Sequence, residues 1–268
     1  MPARYPERIV CLTEETTETL YLLGEERRIV GISGYTVRPP RARREKPRVS
    51  AFLSAKNDKI LALEPDLVIG FSDLQADIAR DLAKAGLNVL IFNQRSVDEI
   101  LSMILTLASL VGASAKGERL VAGLEAGLAG IRTAAARFER RPRVYFEEWD
   151  EPMISGIGWV SELVGIAGGE DIFPERARNH AAAGRIVTDP QEVVRARPDV
   201  ILGSWCGKKF RPERVLARPG WLDVPAVRDG ALHEIKSADI LQPGPAALTD
   251  GVRRMHAIFG SWAARQAK

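Results

Sequence analysis

Short apolar runs alternate with amphipathic segments along the first 112 residues of the chain. The apolar runs have the length and β-branched composition of buried strands, and they lie at 8–12, 28–33, 67–71 and 89–92. The intervening segments carry apolar residues at helical spacing, and they lie at 16–24, 57–64, 76–88 and 96–112. Strands that alternate with helices favour a parallel sheet covered by helices, so this part of the chain is predicted to be an α/β lobe.

An Ala-rich stretch at 113–142 separates this lobe from a second alternating region. Its apolar residues keep helical spacing up to a proline, which predicts one helix of roughly 25 residues and about 40 Å. Beyond it, helical segments alternate again with strand-type runs, which lie at 143–146, 200–203 and 230–235. The chain is therefore predicted to have three parts: an N-terminal α/β lobe at 1–112, a connecting helix at 113–142 and a C-terminal α/β lobe at 143–268.

One pattern of residues occurs twice, as KILALEPDLVIG at 59–70 and as EVVRARPDVILG at 192–203. Each copy has an amphipathic run, then Pro-Asp, then a short β-branched run closed by Gly. Since the elements around both copies follow the same order, we interpret the copies as equivalent helix–strand units of two similar lobes. The alternative is a common junction that recurs by chance. The predicted fold class is α/β, with two Rossmann-like lobes of parallel sheets joined by a long backbone α-helix.

Composition excludes several classes of function. A content of 46% hydrophobic and 27% charged residues is typical of a globular chain and not of a disordered one. The net charge of +3 is too small to indicate a nucleic-acid partner, and the basic run Arg38–Arg48 is interrupted by three prolines and lacks aromatics. No window approaches 18 apolar residues, so no membrane span is predicted. Cys11 and Cys206 are expected to be reduced thiols.

Aromatic residues follow several of the predicted strands, at Tyr35, Phe71, Trp149 and Trp205. In open parallel sheets, ligands bind beyond the carboxyl ends of the strands, and the two lobes are expected to present these ends to one cleft. Rings at such loop positions suit a bulky, flat and partly apolar ligand, because each buries a large area at a small entropic cost. Packing between the lobes is the alternative role for any one ring.

Acidic residues also lie at the predicted strand ends. Glu147 and Glu148 are adjacent, so their side chains are expected to leave the strand on opposite sides, which argues against a joint role as acid and base of a hydrolase. One is expected to contact ligand donors and the other to be structural. The further acidic residues near these ends suit an amide-rich or cationic ligand and disfavour anionic ferric siderophores, and they are Glu14, Glu15, Asp73 and Asp150.

The three histidines, His180, His233 and His256, lie far apart and lack the spacing of metal ligands. We therefore expect no resident metal or cofactor. His180 and Tyr35 are left as alternatives for an axial ligand to a bound cobalt or haem iron, against a solvated loop position for each. The GIGWV segment at 156–160 lacks the third glycine of a dinucleotide fingerprint, since Ser161 stands there.

The order and spacing of several segments resemble the class III substrate-binding proteins of ABC importers, which deliver vitamin B12, siderophores and haem, and in particular the cobalamin-binding subgroup. The segments are RIVCLTEETTETLYLLG, IVGISGYTVRPP, NDKILALEPDLVIGF, FEEWDEPMISGIGWVSELVGIAGGEDIF and EVVRARPDVIL. This resemblance implies two Rossmann-like lobes, little hinge motion on binding and no catalysis. It also implies that cobalamin or a related corrinoid binds between the lobes, for delivery to an ABC importer.

The resemblance places the family's ligand-binding positions on nine residues of this chain. They are Tyr35, Phe52, Phe71, Glu147, Glu148, Trp149, Ser204, Trp205 and Gln242. Some cobalamin-binding members carry Trp where this chain carries Phe52 and Phe71, so the ring is kept and its area is smaller. The family docks onto its permease through one acidic residue on each lobe. The matching positions are Asp58 in the first lobe and Gln191 with its neighbour Glu192 in the second.

Two other functions remain open alternatives at this point. One is a haem-binding or ferric-siderophore-binding protein, and the other is a cytoplasmic enzyme or regulator built on the same scaffold. We expect a monomer that binds a small molecule and an ABC permease, with no nucleic-acid partner. The family implies a periplasmic or surface-anchored location, whereas the N-terminus lacks the apolar region of a secretion signal, which leaves a cytoplasmic location open.

Overall fold

The structure is a computed structural model that describes residues 5–266. The chain forms two compact units, each with its own sheet. The first unit contains the described residues up to Gln94 together with Asp98–Gly123. The second unit contains Arg95–Val97 together with the described residues from Leu124 onward. The predicted α/β class is confirmed.

The first unit is built on a five-stranded parallel sheet. Its strands are β1 (Ile9–Cys11), β2 (Ile29–Ser33), β3 (Arg48–Ser50), β4 (Leu67–Phe71) and β5 (Val89–Phe92). The order is β3-β2-β1-β4-β5, so β1 is central. The helices are α1 (Glu14–Leu22), α2 (Ala42–Glu45), α3 (Asn57–Leu61), α4 (Ala76–Lys84), α5 (Val97–Leu110) and α6 (Ser114–Ala135), and the division between the two units falls within α6.

The central strands of the first unit are buried on both faces, as their uninterrupted apolar runs predict. Val10 and Val68 of these strands pack with Leu82 of the amphipathic helix α4. In open parallel sheets, ligands bind beyond the carboxyl ends of the strands, so the residues that follow the strands are the candidate positions in this unit.

The second unit is built on a mixed sheet. Its strands are β6 (Arg143–Asp150), β7 (Met153–Ser155), β8 (Glu170–Asp171), β9 (Val200–Gly203) and β10 (Leu232–Glu234). Their order is β10-β9-β6-β7, and β8 also pairs with β6. These pairs are parallel except for β6 with β7. The helices are α7 (Gly158–Ala167), α8 (Pro174–Ala177), α9 (Gln191–Ala196), α10 (Pro212–Leu216), α11 (Pro225–Arg228), α12 (Ser237–Ile240) and α13 (Val252–Gln266).

The structure contains short elements that the sequence did not predict, among them α2, β3, β7 and β8, and it shortens the long helix. β3 lies in a segment predicted to be a loop, because a three-residue edge strand directly after Pro47 carries no periodic signal. β7 is the antiparallel return of a hairpin, and the parallel interpretation of the second lobe did not include it. The helix predicted over 113–142 ends at Ala135, and the chain then turns so that Phe138 stacks on His256, with ring centroids 5.2 Å apart.

The repeated Pro-Asp segment has the same partners in both units. In the first unit, the carboxylate of Asp66 accepts hydrogen bonds from the backbone N–H groups of Glu7 and Arg8, at 2.7 and 3.0 Å. In the second unit, the carboxylate of Asp199 accepts from the backbone N–H of Arg143, at 2.9 Å. Each aspartate therefore holds the start of the strand that lies next to its own strand, β1 or β6.

An arginine completes each of these junctions. The Arg8 guanidinium donates to the carbonyl of Leu63 and the Arg143 guanidinium donates to the carbonyl of Ala196, each at 3.1 Å and each two residues before the proline. The residue before each proline, Glu64 or Arg197, has a φ of +46°. Proline disfavours the helical conformation in the residue before it, so the helix ends and the chain turns into the strand. The equivalence of the two copies thus extends from their sequence to their contacts.

Gly203 at the end of β9 provides a test of packing in the second unit. A Cβ atom there would lie 1.9 Å from Cδ2 of Phe210, a buried ring that packs edge-on against Trp205. Because two buried rings would have to move, we expect Gly203→Ala to lower the free energy of unfolding by about 2 kcal/mol. Urea unfolding measures this change.

The matched control is Gly165→Ala in α7, where the new Cβ would meet no described atom within 4 Å. This change should leave the free energy of unfolding unchanged or raise it by up to about 1 kcal/mol, because alanine is the better helix former. Equal stability of the two variants would contradict the packing described for Gly203.

Candidate functional site

In each unit the candidate residues collect at the carboxyl edge, which is the edge of the sheet where the parallel strands end. In the first unit, α1 starts directly after β1, and Glu14 and Glu15 occupy its first turn. Both side chains are buried. The Thr13 hydroxyl donates to Oε1 of Glu15 at 2.5 Å, while Oε2 of Glu15 is buried without a partner in residues 5–266.

Burial changes the protonation of this first turn. It raises the pKa of Glu15 from 4.5 to about 8 and that of Glu14 from 4.5 to about 7. It also raises the pKa of the Cys11 thiol at the end of β1 to about 12. A desolvated carboxyl group is more stable in its neutral form, so this part of the edge holds protons near neutral pH.

Large apolar side chains are exposed at the same carboxyl edge. Tyr35, Leu53 and Leu74 follow β2, β3 and β4, and they are 55%, 68% and 60% exposed. Phe52 beside them is half-buried, and its carbonyl accepts a hydrogen bond from Gln75 at 2.9 Å. Sequence reasoning missed Leu53 and Leu74. The signal that could have found them was a large apolar residue among polar ones just after a strand.

Phe71 differs from the other predicted aromatic positions of the first unit. It belongs to β4 and is only 7% exposed. Its backbone N–H donates to the side chain of Gln75 at 3.0 Å. The structure therefore places this ring in the interior of the unit, and its predicted contact with a ligand stays a prediction.

In the second unit, Glu147 and Trp205 form a buried cluster. Both carboxylate oxygens of Glu147 accept from the guanidinium of Arg218, at 2.6 and 2.9 Å. The indole N–H of Trp205 donates to the same carboxylate at 3.0 Å. Glu147 is fully buried and Trp205 is 2% exposed. This carboxylate is neutralised inside the unit, and Trp205 serves there as its hydrogen-bond donor.

Glu148 is held by a different arginine. The guanidinium of Arg185 donates to its two oxygens at 2.5 and 3.2 Å and also donates to the carbonyl of Ser155 at 2.6 Å. The hydroxyl of Ser155 in turn donates to the carbonyl of Arg185 at 3.1 Å. Arg185 is buried while Glu148 is half-buried, so the arginine fixes a carboxylate that reaches the surface.

The last carboxylate of β6, Asp150, is paired with two cations. Lys208 contacts it closely, and Arg214 lies 2.6 Å from it. The ammonium of Lys208 also lies 4.0 Å from the ring centroid of Trp149, close enough for a cation–π contact. Trp149 is half-buried, and its indole N–H donates to the carbonyl of Glu151 at 2.8 Å. The acidity expected from Asp150 is therefore offset by these cations.

The remaining predicted ligand positions lie in loops of the second unit. Ser204 follows β9 and is buried, and its hydroxyl has no partner within the described chain. Gln242 is half-buried, in the segment between α12 and the π-helical turn Ala247–Gly251. His180 is exposed. Among the described residues, no group of His, Cys, Asp or Glu could hold a metal ion, and none of the helices is long and apolar enough to cross a membrane.

The predicted docking residues have different surroundings in the two units. Asp58 is exposed in the first turn of α3. Gln191 starts α9, and its side-chain amide donates to the carbonyl of Pro219 at 3.0 Å. Glu192 pairs with Arg176 at 2.6 Å. In the second unit, both candidates are thus engaged in contacts within the unit.

Comparison with protein-family profiles matches residues 9–238 to the family described as periplasmic binding protein. The chain belongs to the periplasmic binding protein family. The match runs from β1 into α12 and so includes both sheets. It confirms the resemblance to the substrate-binding proteins of ABC importers that the sequence motifs indicated.

Three relatives show the range of this periplasmic binding protein family. The uncharacterised ABC transporter substrate-binding lipoprotein YvrC of Bacillus subtilis is 24% identical over 261 residues, which cover 93% of this chain and 79% of that protein. The vitamin B12-binding protein of Yersinia pestis is 26% identical over 237 residues, covering 87% and 81%. The periplasmic haem-binding protein RhuT of Roseiflexus, a solved structure, is 27% identical with a TM-score of 0.79, covering 94% of this chain and 98% of that chain.

The ion pair between Arg218 and Glu147 should be the costliest one to break in this periplasmic binding protein. Arg218→Met leaves a buried carboxylate without its cation, so we expect the free energy of unfolding to fall by about 3 kcal/mol. Arg195→Met is the control, because its pair with Asp189 is exposed and should contribute less than about 1 kcal/mol. Urea unfolding of both variants measures the two changes. Similar losses of unfolding free energy would contradict the description of the Arg218–Glu147 pair as buried.

The raised pKa of Glu15 predicts how stability depends on pH. The folded protein keeps a proton that the unfolded chain releases above pH 4.5, so the free energy of unfolding should fall as pH rises from about 4.5 to about 8. Glu15→Gln removes this contribution, and we expect its stability curve to fall by about 4 kcal/mol less than that of the wild type.

Urea unfolding at pH 5, 6.5 and 8 measures the two curves. The control is Glu118→Gln in α6, which removes an exposed carboxylate from the same unit and should leave the pH dependence unchanged. Parallel curves for Glu15→Gln and the wild type would show that Glu15 ionises normally in the folded protein.

Proposed function

We propose that this protein captures cobalamin or a related corrinoid at the carboxyl edges of its units and delivers it to an ABC importer. The observation that carries the proposal is the set of large apolar side chains exposed together with buried carboxyls at the carboxyl edge of the first unit. The vitamin B12-binding relative, aligned over 87% of this chain, supports a corrinoid as the ligand class.

The apolar side chains suit a broad and flat ligand. Tyr35, Leu53 and Leu74 are each more than half exposed, although burying a large apolar side chain is favourable by roughly 2 kcal/mol. They follow the ends of β2, β3 and β4, so they share the carboxyl edge of one sheet, with the end of β1 between β2 and β4. Several exposed apolar residues at one edge mark a binding surface more often than isolated ones do. A macrocycle laid on this edge would cover all three.

The polar groups suit the periphery of a corrinoid, which carries neutral amides. Glu14 and Glu15 offer carboxyl oxygens in the first unit, and Glu148 offers a half-buried carboxylate in the second. Trp149 adds a ring that is partly exposed beside Lys208. We propose that these groups hydrogen-bond and stack with the ligand, while Glu147 and Trp205 support them from the interior. The function proposed is binding and not catalysis.

Haem is the second candidate ligand, because the exposed phenol of Tyr35 has the chemistry of an axial iron ligand. The haem-binding relative RhuT supports this alternative at 27% identity.

For delivery to the permease, we propose Asp58 as the acidic docking residue of the first unit, because its side chain is exposed. In the second unit, Glu192 is held by its ion pair with Arg176.

Fluorescence titration of the tryptophans tests the ligand class. Because Trp149 lies at the carboxyl edge, a ligand bound there should quench its fluorescence. We expect saturable, equimolar quenching by cyanocobalamin, and weaker or no quenching by haemin and a ferric hydroxamate. Tyr35→Ala and Leu53→Ala should each weaken cyanocobalamin binding by about tenfold, since each removes a large apolar contact.

The matched control is Leu22→Ala, which removes an equally exposed leucine from the opposite end of α1. Its affinity for cyanocobalamin should equal that of the wild type. Saturable quenching by haemin alone, lost in Tyr35→Phe, would establish the second candidate instead. Absence of quenching by all three ligands would reject both.

A further inference from the structure

We propose that Glu14 and Glu15 select the ligand by charge: they accept hydrogen bonds from a neutral amide or a cationic donor group and reject anionic groups. This inference rests on the proposed function, because it assigns a ligand class to the same carboxyl edge. It names a recognition element that the resemblance did not place among the binding residues.

The position of the two carboxyls is unusual for a helix start. β1 is the central strand, with β2 on one side and β4 on the other, so α1 begins at the point where the direction of strand order reverses. Such a point is where open parallel sheets bind ligands, and a helix N-terminus there attracts anions. Here the first two helical positions are glutamates, so the chain supplies its own acids where an anionic ligand would otherwise bind.

A second observation points to a ligand at this position. Oε2 of Glu15 is buried without a partner in residues 5–266, and so is the hydroxyl of Thr36. Glu15 is 1% exposed and Thr36 is fully buried. The loop that carries Thr36 is tied to α1 by the ion pair of Arg38 with Glu18, at 3.0 Å. Buried polar atoms normally have a partner, so these two atoms have hydrogen-bonding capacity that the described residues do not use.

The charges around the pair leave its acidity uncompensated. Glu14 and Glu18 of α1 and the Cys11 thiol of β1 are the titratable groups that interact with Glu15. The nearby cations serve other groups, since Arg38 pairs with Glu18 and Lys46 interacts with Cys11. No described residue forms an ion pair with Glu14 or Glu15. Once Glu14 and Glu15 are ionised, an anionic ligand group would meet two carboxylates that repel it.

Protonation makes the selection depend on pH. Burial raises the pKa of Glu15 to about 8 and that of Glu14 to about 7, so both lose protons as pH rises through the neutral range. A cationic donor group favours the ionised carboxyls and releases protons when it binds. An anionic group favours the protonated carboxyls, so its binding should weaken as pH rises.

The test compares two ligands that differ by one charge. Cyanocobalamin and a derivative in which one peripheral amide is hydrolysed to a carboxylate are titrated by Trp fluorescence at pH 5.5, 7 and 8.5. We expect the wild type to prefer the amide form, with a ratio of affinities that grows to about tenfold at pH 8.5. Glu14→Gln and Glu15→Gln should each lower this ratio and weaken its pH dependence, and the double variant should bring the ratio to about one at every pH.

The control is Glu118→Gln, which removes an exposed carboxylate of the same unit and should keep the wild-type ratio at every pH. Urea unfolding at the same pH values verifies that each variant is folded. If the wild type binds cyanocobalamin with a ratio near one at all pH values, charge selection is wrong although the proposed function stands.

If no corrinoid binds, the proposed ligand fails, and charge selection is then tested with haemin and its neutral dimethyl ester. Tighter binding of the ester, lost in Glu15→Gln, would support the role of the two carboxyls independently of the corrinoid. Tighter binding of haemin itself would overturn it.

Discussion

Parallel strand pairing is the constraint on which both units depend. Two parallel strands cannot be joined by a hairpin, so the chain must cross back through a helix and start each new strand at the same edge. The strand ends then gather at the opposite edge, however far apart they lie in sequence. Glu15, Tyr35 and Leu53 reach one such edge in the first unit, and Trp149 and Lys208 reach the other in the second.

The parts of the fold that the sequence predicted are those with local causes. The runs at 67–71 and 200–203 were recognisable because a buried parallel strand is continuously apolar, and the Pro-Asp pair before each marks a helix end. The contacts that complete these junctions were not recognisable. Arg8 and Arg143 reach the carbonyls of the same junction from the neighbouring strand, and no local pattern announces such a partner.

The sequence predicted which candidate residues lie at strand ends, and their part in a ligand site stays a prediction. Their exposure depends on partners elsewhere in the chain. Glu147 is separated by 71 positions from Arg218, and Glu148 by 37 positions from Arg185. Trp205 was interpreted as a wall for the ligand, and the structure buries it as a donor to Glu147. Long-range charge pairing decides which acids remain available, and periodicity carries no information about it.

The two carboxyl edges neutralise their acids by different means, and the difference has a functional consequence. In the second unit, guanidinium groups neutralise Glu147 and Glu148, and an arginine keeps its charge at any physiological pH. In the first unit, protons neutralise Glu14 and Glu15, and a proton leaves when pH rises or when a positive group approaches. The charge of the second edge is therefore fixed, whereas that of the first changes with pH. Fixed charges and titrating carboxyls can both distinguish ligands that differ by a single charge, but only titrating carboxyls would report the difference as a change in bound protons.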